Sequence, residues 1–347
     1  MPYIAPSGKS FLSRFRPQLS PVTLVALTTA FVLFSDNNTF FAKGMTLFEG
    51  NILQFAVLVA ALYSLMFAVF VLFGSRWIVK PFLAFILILS AVTSYYMDTL
   101  GVFIDRDMVQ NVATTTFTEG KHLITLGFVT QVAVWGILPA MAVFWTRLTP
   151  TRFLRAFAVN SGLFALCVAL TAGLLLTNFK TYSAIGREHK DLMGSTQPGA
   201  PLVGAARYVK MITRSVNTEV TPAGTDAQKG NSYTTAAKPV LSILVIGETA
   251  RAQNFSLDGY ARDTNPELAK RDIVNFTDVD SCGTATAVSM PCMMSKFSRS
   301  DYSYDKGVSN ENLVDVLSHA GFHVEWWDNN TGDKGLADRI EMRSLTH

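Results

Sequence analysis

Two side chains in the second half of the chain have the chemistry that a metal-activated nucleophile needs. Thr286 lies in a short segment bracketed by Cys282 and Cys292, which begins Cys-Gly-Thr-Ala-Thr. Glu248 directly follows an apolar, strand-like run, residues 239–247. A hydroxyl held in a turn and a carboxylate at a strand end are the groups required by a threonine nucleophile that a metal activates. The sequence therefore predicts a transferase that uses Thr286 as its nucleophile.

The elements predicted around these residues alternate between strands and helices. Strands are expected at residues 239–247, 273–279 and 322–327, and helices are expected to begin near Thr286 and to cover residues 310–320. This alternation indicates an α/β sheet with its active site at the carboxyl ends of the strands. Glu248 follows one predicted strand, and Asp328-Asn329-Asn330 follows another.

The first half of the chain has the composition of a membrane protein. Hydrophobic residues make up 49% of the chain and charged residues only 16%. A helix needs about 20 apolar residues to cross about 30 Å of hydrocarbon. Five uncharged stretches approach this length, at residues 17–35, 51–75, 81–97, 122–146 and 156–179. The first could be a signal peptide, but the residues after it offer no small-residue cleavage site, so we interpret it as a retained anchor.

The basic residues near these stretches predict their orientation, since Lys and Arg concentrate on the cytoplasmic side. One side carries Lys9, Arg14, Arg16, Arg76, Lys80, Arg147, Arg152 and Arg155, whereas the other carries Lys43, Arg106 and Lys121. The N-terminus is therefore expected in the cytoplasm and everything after residue 179 outside it. Apart from groups at their edges, the stretches contain no internal ionisable residue, which argues against a transporter.

Three regions follow from these patterns. Residues 1–179 form a transmembrane domain with five helices, residues 180–238 form a polar linker, and residues 239–347 form the first part of the catalytic domain. Within the linker, residues 202–216 have the pattern of an amphipathic helix on a membrane surface.

Three motifs carry a resemblance to a known family. Residues 247–251 read Gly-Glu-Thr-Ala-Arg, residues 282–286 read Cys-Gly-Thr-Ala-Thr before a later Pro-Cys, and residues 327–330 read Trp-Asp-Asn-Asn. They resemble the phosphoethanolamine transferases that modify lipid A in Gram-negative bacteria, which include colistin-resistance enzymes. The resemblance implies an alkaline phosphatase or sulfatase type of fold, placed in the periplasm and anchored in the bacterial inner membrane.

The resemblance also implies roles for individual residues. Thr286 matches the nucleophile and a zinc ligand, and Glu248 matches a second zinc ligand. Asn330 and Lys334 match positions that hold the phosphoethanolamine group. Taken alone, Thr286 would be interpreted as a helix cap, and the other three as surface or loop residues.

A second group of matching residues lies in the membrane half. Asn111, Thr115 and Glu119 are four residues apart, so a helix would place them on one face. They match positions that shape the substrate-binding surface, where a carboxylate suits an ethanolamine ammonium. A solvated helical face is the alternative interpretation, and the sequence leaves both open.

The function that this resemblance implies is transfer of phosphoethanolamine from phosphatidylethanolamine to a phosphate of lipid A. The modified surface would be less negative and would bind cationic peptides such as polymyxin less well. Transfer to a core sugar of lipopolysaccharide, phosphoglycerol transfer and a catalytically inactive membrane protein are the alternatives. No nucleic-acid partner is expected.

Cysteine usage indicates an oxidising compartment. The spacing of Cys282 and Cys292 does not suit a zinc site, and we expect them to form a disulfide. Cys167 is interpreted as a small buried apolar residue. The family commonly has a second cysteine pair around the lysine that follows Asp-Asn-Asn, whereas Asp333 and Ala337 occupy those places here.

The last residues lead to one further expectation. The family's remaining zinc ligands, an Asp-His pair, and further substrate-binding histidines have no match here. Only His319, His323 and His347 follow the nucleophile. We interpret His319 and His323 as structural, and expect a C-terminally truncated chain that binds zinc weakly, since catalytic zinc sites use about three protein ligands.

Overall fold

The computed structural model describes residues 16–115, 120–215, 219–247, 250–330 and 332–345. These residues form two compact units, the first made of the chain up to Val109 together with Thr116–Tyr208 and the second of Gln110–Thr115 together with Val209–His347. Among the residues named above, Glu119, Glu248 and His347 lie outside the described residues, as do the basic residues Lys9 and Arg14.

Helices build the first unit. In chain order they are α1 (Pro21–Ser35), α2 (Asn38–Leu47), α3 (Ile52–Leu72), α4 (Val79–Leu100), α5 (Arg106–Thr114), α6 (Leu126–Trp145), α7 (Phe153–Leu176), α8 (Phe179–Glu188), α9 (Lys190–Gly194) and α10 (Gly199–Ser215). The second halves of α5 and α10 belong to the second unit. Two short strands, β1 (Gln18–Leu19) and β2 (Arg147–Leu148), pair in parallel.

Four helices of this unit are long and apolar enough to cross a membrane, namely α3, α4, α6 and α7. They coincide with four of the five predicted spans. The first predicted span forms α1, an apolar helix of 15 residues. At 1.5 Å per residue, α1 is about 22 Å long, shorter than the hydrocarbon core of about 30 Å. The chain therefore contains a helical membrane region with four candidate spans.

The helices pack through apolar side chains and a few hydroxyl contacts. α3 lies along α7, α4 contacts α6, and α1 packs against α3 and α4. Val25, Val32 and Val71 are fully buried in their shared core. Thr171 of α7 donates a hydrogen bond to the carbonyl of Ala61 in α3 at 3.4 Å. Contacts of this kind satisfy hydroxyls between helices where no water is available.

A buried polar cluster lies where α1 ends. Asp36 follows α1 and is only 1% exposed, and neither carboxylate oxygen has a hydrogen-bond partner among the described residues. Asn37 accepts a hydrogen bond from the backbone N–H of Gln197 at 2.6 Å, which attaches the segment before α10 to the end of α1. Asp98 of α4 accepts hydrogen bonds from the side chains of Asn38 and Thr39. The Asp98 carboxylate therefore has side-chain hydrogen-bond donors, whereas the Asp36 carboxylate has none among the described residues.

The second unit contains shorter elements. They are α11 (Asn231–Thr234), α12 (Pro266–Ala269), α13 (Thr286–Met294), α14 (Tyr304–Val308), α15 (Leu313–His319), β3 (Glu325–Asp328) and β4 (Glu341–Ser344). β3 and β4 pair in parallel, with Glu325 opposite Glu341 and Asp328 opposite Ser344. The helix predicted to begin near Thr286 begins at that residue.

Two predicted strands are not formed. The described residues of 239–247 and of 273–279 have no regular secondary structure. Their apolar side chains are exposed, with Leu241 at 83% and Val274 at 81%. A strand needs a hydrogen-bonded neighbour, and neither segment pairs with another strand in the described part of the chain. The expected α/β sheet is thus reduced to the β3–β4 pair.

A bidentate ion pair holds α15 in place. The Asn312 side chain accepts a hydrogen bond from the backbone N–H of Val314, and the backbone N–H of Asn312 donates to Asp315, which forms a capping box. The guanidinium of Arg339 donates to both Asp315 oxygens, at 2.7 and 2.6 Å. The Asp315 side chain is only 4% exposed. Although burial alone would raise the pKa of Asp315, the hydrogen bonds from Arg339 and Asn312 hold it below its ordinary value.

We expect Arg339→Ala to lower the free energy of unfolding of the second unit by about 3 kcal/mol, because it leaves the buried Asp315 carboxylate without a cation. Because its folded pKa is lowered, Asp315 stabilises the fold above the unfolded pKa of a carboxyl group, and this stabilisation is lost as pH falls through the folded pKa. The destabilisation caused by Arg339→Ala should therefore become smaller below about pH 4. Tryptophan fluorescence during chemical unfolding of the purified protein measures it.

Arg299→Ala is the matched control. Arg299 pairs with Asp280 at 2.9 Å, but both side chains are largely exposed. Its removal should cost less than about 1 kcal/mol. Equal losses in the two variants would contradict a special role for the buried pair.

Candidate active site

Thr286 is the first residue of α13. Ala285 precedes it in an extended conformation, and the Ala285 carbonyl accepts hydrogen bonds from the backbone N–H groups of Val288 and Ser289, both at 2.9 Å. Thr286 is partly buried, whereas Ala287 is fully buried. A helix N-terminus has a partial positive charge that favours anions such as phosphate or a developing oxyanion. The position of Thr286 is therefore suited to attack on a phosphate group.

A disulfide fixes the loop before α13. Cys282 and Cys292 are bonded, with their Cα atoms 6.3 Å apart, which confirms the predicted pair. Cys292 lies within α13 and is buried, so the bridge attaches the Cys282–Ala285 loop to the helix that Thr286 begins. Cys167 is a free, buried cysteine in α7, as predicted.

Removal of this bridge by Cys282→Ser with Cys292→Ser should lower the free energy of unfolding by about 3 kcal/mol, since the disulfide closes a loop of about ten residues. The measurement is chemical unfolding with and without a reductant. Reduction of the wild-type protein should reproduce the loss, and the double variant should not respond to reductant. A double variant that the reductant destabilises further would show that another bond is responsible.

The residues after β3 form a tight loop that carries Asn330 and Lys334. Asp328 is buried, and its carboxylate accepts hydrogen bonds from the backbone N–H groups of Asn330 at 3.3 Å and Gly332 at 3.1 Å. Lys334 has a φ of 56°, in the left-handed region that non-glycine residues seldom adopt. The Asn330 backbone therefore donates to the buried Asp328, and Lys334 has a left-handed backbone conformation.

A hydrogen bond joins Asp333 and Ala337, the two residues at which the resemblance implies a second cysteine pair. The Asp333 carboxylate accepts from the backbone N–H of Ala337 at 2.5 Å. This contact spans Lys334 as the missing bridge would. It closes the loop without a covalent link.

The remaining predicted site residues are placed as follows. Asn111 lies in α5, and Thr115 directly follows that helix. The Thr115 hydroxyl donates to the Asn111 carbonyl at 2.6 Å, so it can still accept a hydrogen bond from a ligand. Both belong to the same compact unit as Thr286. Glu119 and Glu248 lie outside the described residues, so their roles stay predictions.

Sequence reasoning missed a cluster of charged side chains at the start of the β3–β4 pair. One ligand atom each from His323, Glu325 and Glu341 lies within 4.8 Å of the others. Arg343 donates to Glu341 at 2.8 Å and to Glu325 at 3.5 Å. Hydrogen bonds from Trp327 and His323, with the charge of Arg343, lower the pKa of Glu325. Because Arg343 already supplies a positive charge, we interpret this cluster as an ion-pair network.

Two further contacts in the second unit were missed, for different reasons. The Asn312–Asp315 capping box has the spacing of a helix start and could have been found in the sequence. The pairing of Asp315 with Arg339 spans 24 residues, and no local pattern indicates it. His319, which also follows α13, contacts Glu311 at 2.7 Å.

Comparison with known proteins covers both halves of the chain. The profile of the family described as "Phosphoethanolamine transferase EptA/EptB" matches residues 62–212, and the profile described as "Sulfatase" matches residues 241–346. The solved "Integral membrane protein lipooligosaccharide phosphoethanolamine transferase A (EptA)" of Neisseria meningitidis superposes with a TM-score of 0.82 at 30% identity, over 94% of this chain and 62% of that one.

The chain is thus similar to phosphoethanolamine transferases along nearly its whole length. Two curated proteins from Escherichia coli illustrate the similarity. "Phosphoethanolamine transferase EptA" of strain K12 is 31% identical over 336 residues, and "Phosphatidylethanolamine transferase Mcr-1" is 34% identical over 332 residues. The alignments cover 95% and 94% of this chain, but each spans only 61% of the relative's length.

Proposed function

We propose that this protein transfers phosphoethanolamine from phosphatidylethanolamine to a phosphate of lipid A, with Thr286 as the nucleophile. The observation that carries the proposal is the position of Thr286 at the N-terminus of α13, next to a disulfide-bonded loop. Its relatives support the reaction class, since their names describe phosphoethanolamine and phosphatidylethanolamine transferases.

The reaction proceeds in two steps. The Thr286 hydroxyl oxygen attacks the phosphorus of the donor, the bond to the glycerol oxygen breaks, and diacylglycerol leaves with the proton. A phosphate oxygen of lipid A then attacks the phosphorus, the bond to Thr286 breaks, and the Thr286 oxygen takes up a proton from the incoming phosphate group or from water to restore its hydroxyl. The positive end of α13 stabilises the charge on the phosphate oxygens in both steps.

Zinc is the cofactor that we propose. A carboxylate and a threonine oxygen are donors that zinc accepts, and Glu248 and Thr286 would hold it. When bound, the ion lowers the pKa of the threonine hydroxyl, which is otherwise a weak nucleophile at neutral pH. Asn330 and Lys334 would hold the phosphate oxygens, and Asn111, Thr115 and Glu119 the substrate surface, with Glu119 facing the ethanolamine ammonium.

The membrane placement follows from the two lipid substrates. We propose five spans in the inner membrane, with α1 as the first, the N-terminus in the cytoplasm and the Thr286 unit in the periplasm. The excess of basic residues on one side of the spans supports this orientation. The disulfide supports an oxidising compartment for Thr286.

Mass spectrometry of lipid A from a Gram-negative host that expresses the complete gene product tests the proposal. A gain of phosphoethanolamine on lipid A phosphates, relative to a host with an empty vector, is the expected result. A gain on the core oligosaccharide instead would assign the core-sugar alternative. No gain on either acceptor, with the protein present in the inner membrane, would favour the inactive alternative.

A further inference from the structure

The first unit contains an apolar groove of about 520 Å³ between α1, α3 and α7. On α3 it is lined by Ala56, Val59, Ala60, Tyr63, Ser64 and Phe67. This spacing of three and four residues places all six positions on one face of the helix. Ala56 and Ala60 are exposed, so these small side chains provide the depth of the groove.

The groove offers a ligand no hydroxyl donor. Among the described residues, Tyr63 and Ser64 are the only hydroxyl-bearing side chains that line it. The Tyr63 hydroxyl donates to the Ala26 carbonyl at 3.2 Å, and the Ser64 hydroxyl donates to the Cys167 carbonyl at 3.0 Å. A polar ligand would therefore lose its hydrogen bonds to water and gain none here, whereas a hydrocarbon chain would lose nothing.

The length of the groove matches one leaflet of a bilayer. From Ala56 to Phe67 the α3 lining extends about 16 Å at 1.5 Å per residue. Half of the hydrocarbon core of a bilayer is about 15 Å. A groove of this length accommodates one extended acyl chain.

The ends of the helices place the groove in a particular leaflet. Its lining includes Phe34 near the end of α1, Ala56 near the start of α3 and Leu174 near the end of α7. Because α3 runs opposite to α1 and α7, these three helix ends lie on the same side of the membrane. On that side α7 is followed by α8.

We propose that this groove binds one acyl chain of a glycerophospholipid from the leaflet on the α8 side. The exposed rim residues, Phe34 and Leu170, flank the small residues and contact the chain along its length. The lipid is held more tightly than the lipids around the other helix faces because its chain contacts three helices along the groove. Lipid retention does not require transfer activity, so this proposal stands independently of the proposed reaction.

Two measurements on the full chain test it. Native mass spectrometry of the detergent-purified protein should detect one retained phospholipid, and Ala60→Phe should reduce its occupancy by about tenfold, since the ring fills space for several methylenes. Ala172→Phe is the matched control. Ala172 is an exposed alanine of α7 that does not line the groove, and this variant should retain the lipid.

The second measurement needs no variant. In nanodiscs, a phospholipid with a photoreactive group on one acyl chain should label peptides from 56–67 of α3 and from the facing part of α7 above other lipid-facing peptides. Even labelling of all exposed faces, or unchanged lipid retention in Ala60→Phe, would overturn the proposal. A dimer that Ala60→Phe dissociates would assign the groove to a second copy of the chain and would overturn it too.

Discussion

Thr286→Ala should abolish phosphoethanolamine transfer to lipid A, with a loss of at least about a thousandfold, because removal of a nucleophile leaves only binding and electrostatic contributions. Thr286→Ser keeps the hydroxyl at the start of α13 and should retain measurable transfer. Quantitative mass spectrometry of lipid A from cells with matched protein levels gives the comparison. The same instrument should find a phosphoethanolamine adduct on the wild-type peptide that contains Thr286, and none in the alanine variant.

Thr284→Ala is the control for this substitution. Thr284 belongs to the same loop, two residues before Thr286, but it precedes the helix and is exposed. Its removal tests whether any threonine of the loop matters or only the one at the helix N-terminus. Full transfer by Thr286→Ala together with lost transfer by Thr284→Ala would show that the nucleophile is assigned to the wrong residue.

The membrane half could be predicted well from the sequence because composition decides it. Within a window of about 20 residues, an apolar stretch has few alternatives to a spanning helix. The predicted span at residues 51–75 became α3 and that at 156–179 became α7, each within a few residues of its expected limits. The groove between α1, α3 and α7 was not predictable, since it depends on which faces of the three helices meet.

The second unit was harder to predict because strands depend on distant partners. Residues 239–247 have the composition of a buried strand, yet no strand forms there, since β pairing requires a neighbour that local sequence does not specify. The start of α13 was predictable because a residue motif specifies it. The buried Asp328 carboxylate accepts hydrogen bonds from backbone N–H groups two and four residues later in the chain. The sequence gives the residue types there but does not indicate these hydrogen bonds.

Asp36→Asn should stabilise the protein above neutral pH. Burial raises the pKa of Asp36 from 3.8 to about 7, and the negative charge of Asp98 adds to the shift. Such a difference between the folded and unfolded pKa corresponds to about 4 kcal/mol. Because the folded state holds the proton more tightly, it binds more protons than the unfolded state between these pH values. Stability should therefore fall as pH rises from about 4 to about 7, and asparagine removes this dependence because it cannot lose a proton.

Thermal unfolding of the detergent-purified protein, followed by tryptophan fluorescence at pH 5 and pH 8, measures this effect. At pH 5, where folded Asp36 is neutral and only the first part of this dependence has taken effect, Asp36→Asn should unfold only slightly higher than the wild-type protein. At pH 8 the variant should unfold several degrees higher, since about 1 kcal/mol shifts the midpoint by about 2–4 °C. Asp191→Asn is the matched control, because Asp191 is exposed and paired with Lys43, and it should keep the wild-type pH dependence. If Asp36→Asn retained the wild-type pH dependence as well, another buried group would be responsible for it. Asp36 would then be ionised in the folded protein near neutral pH.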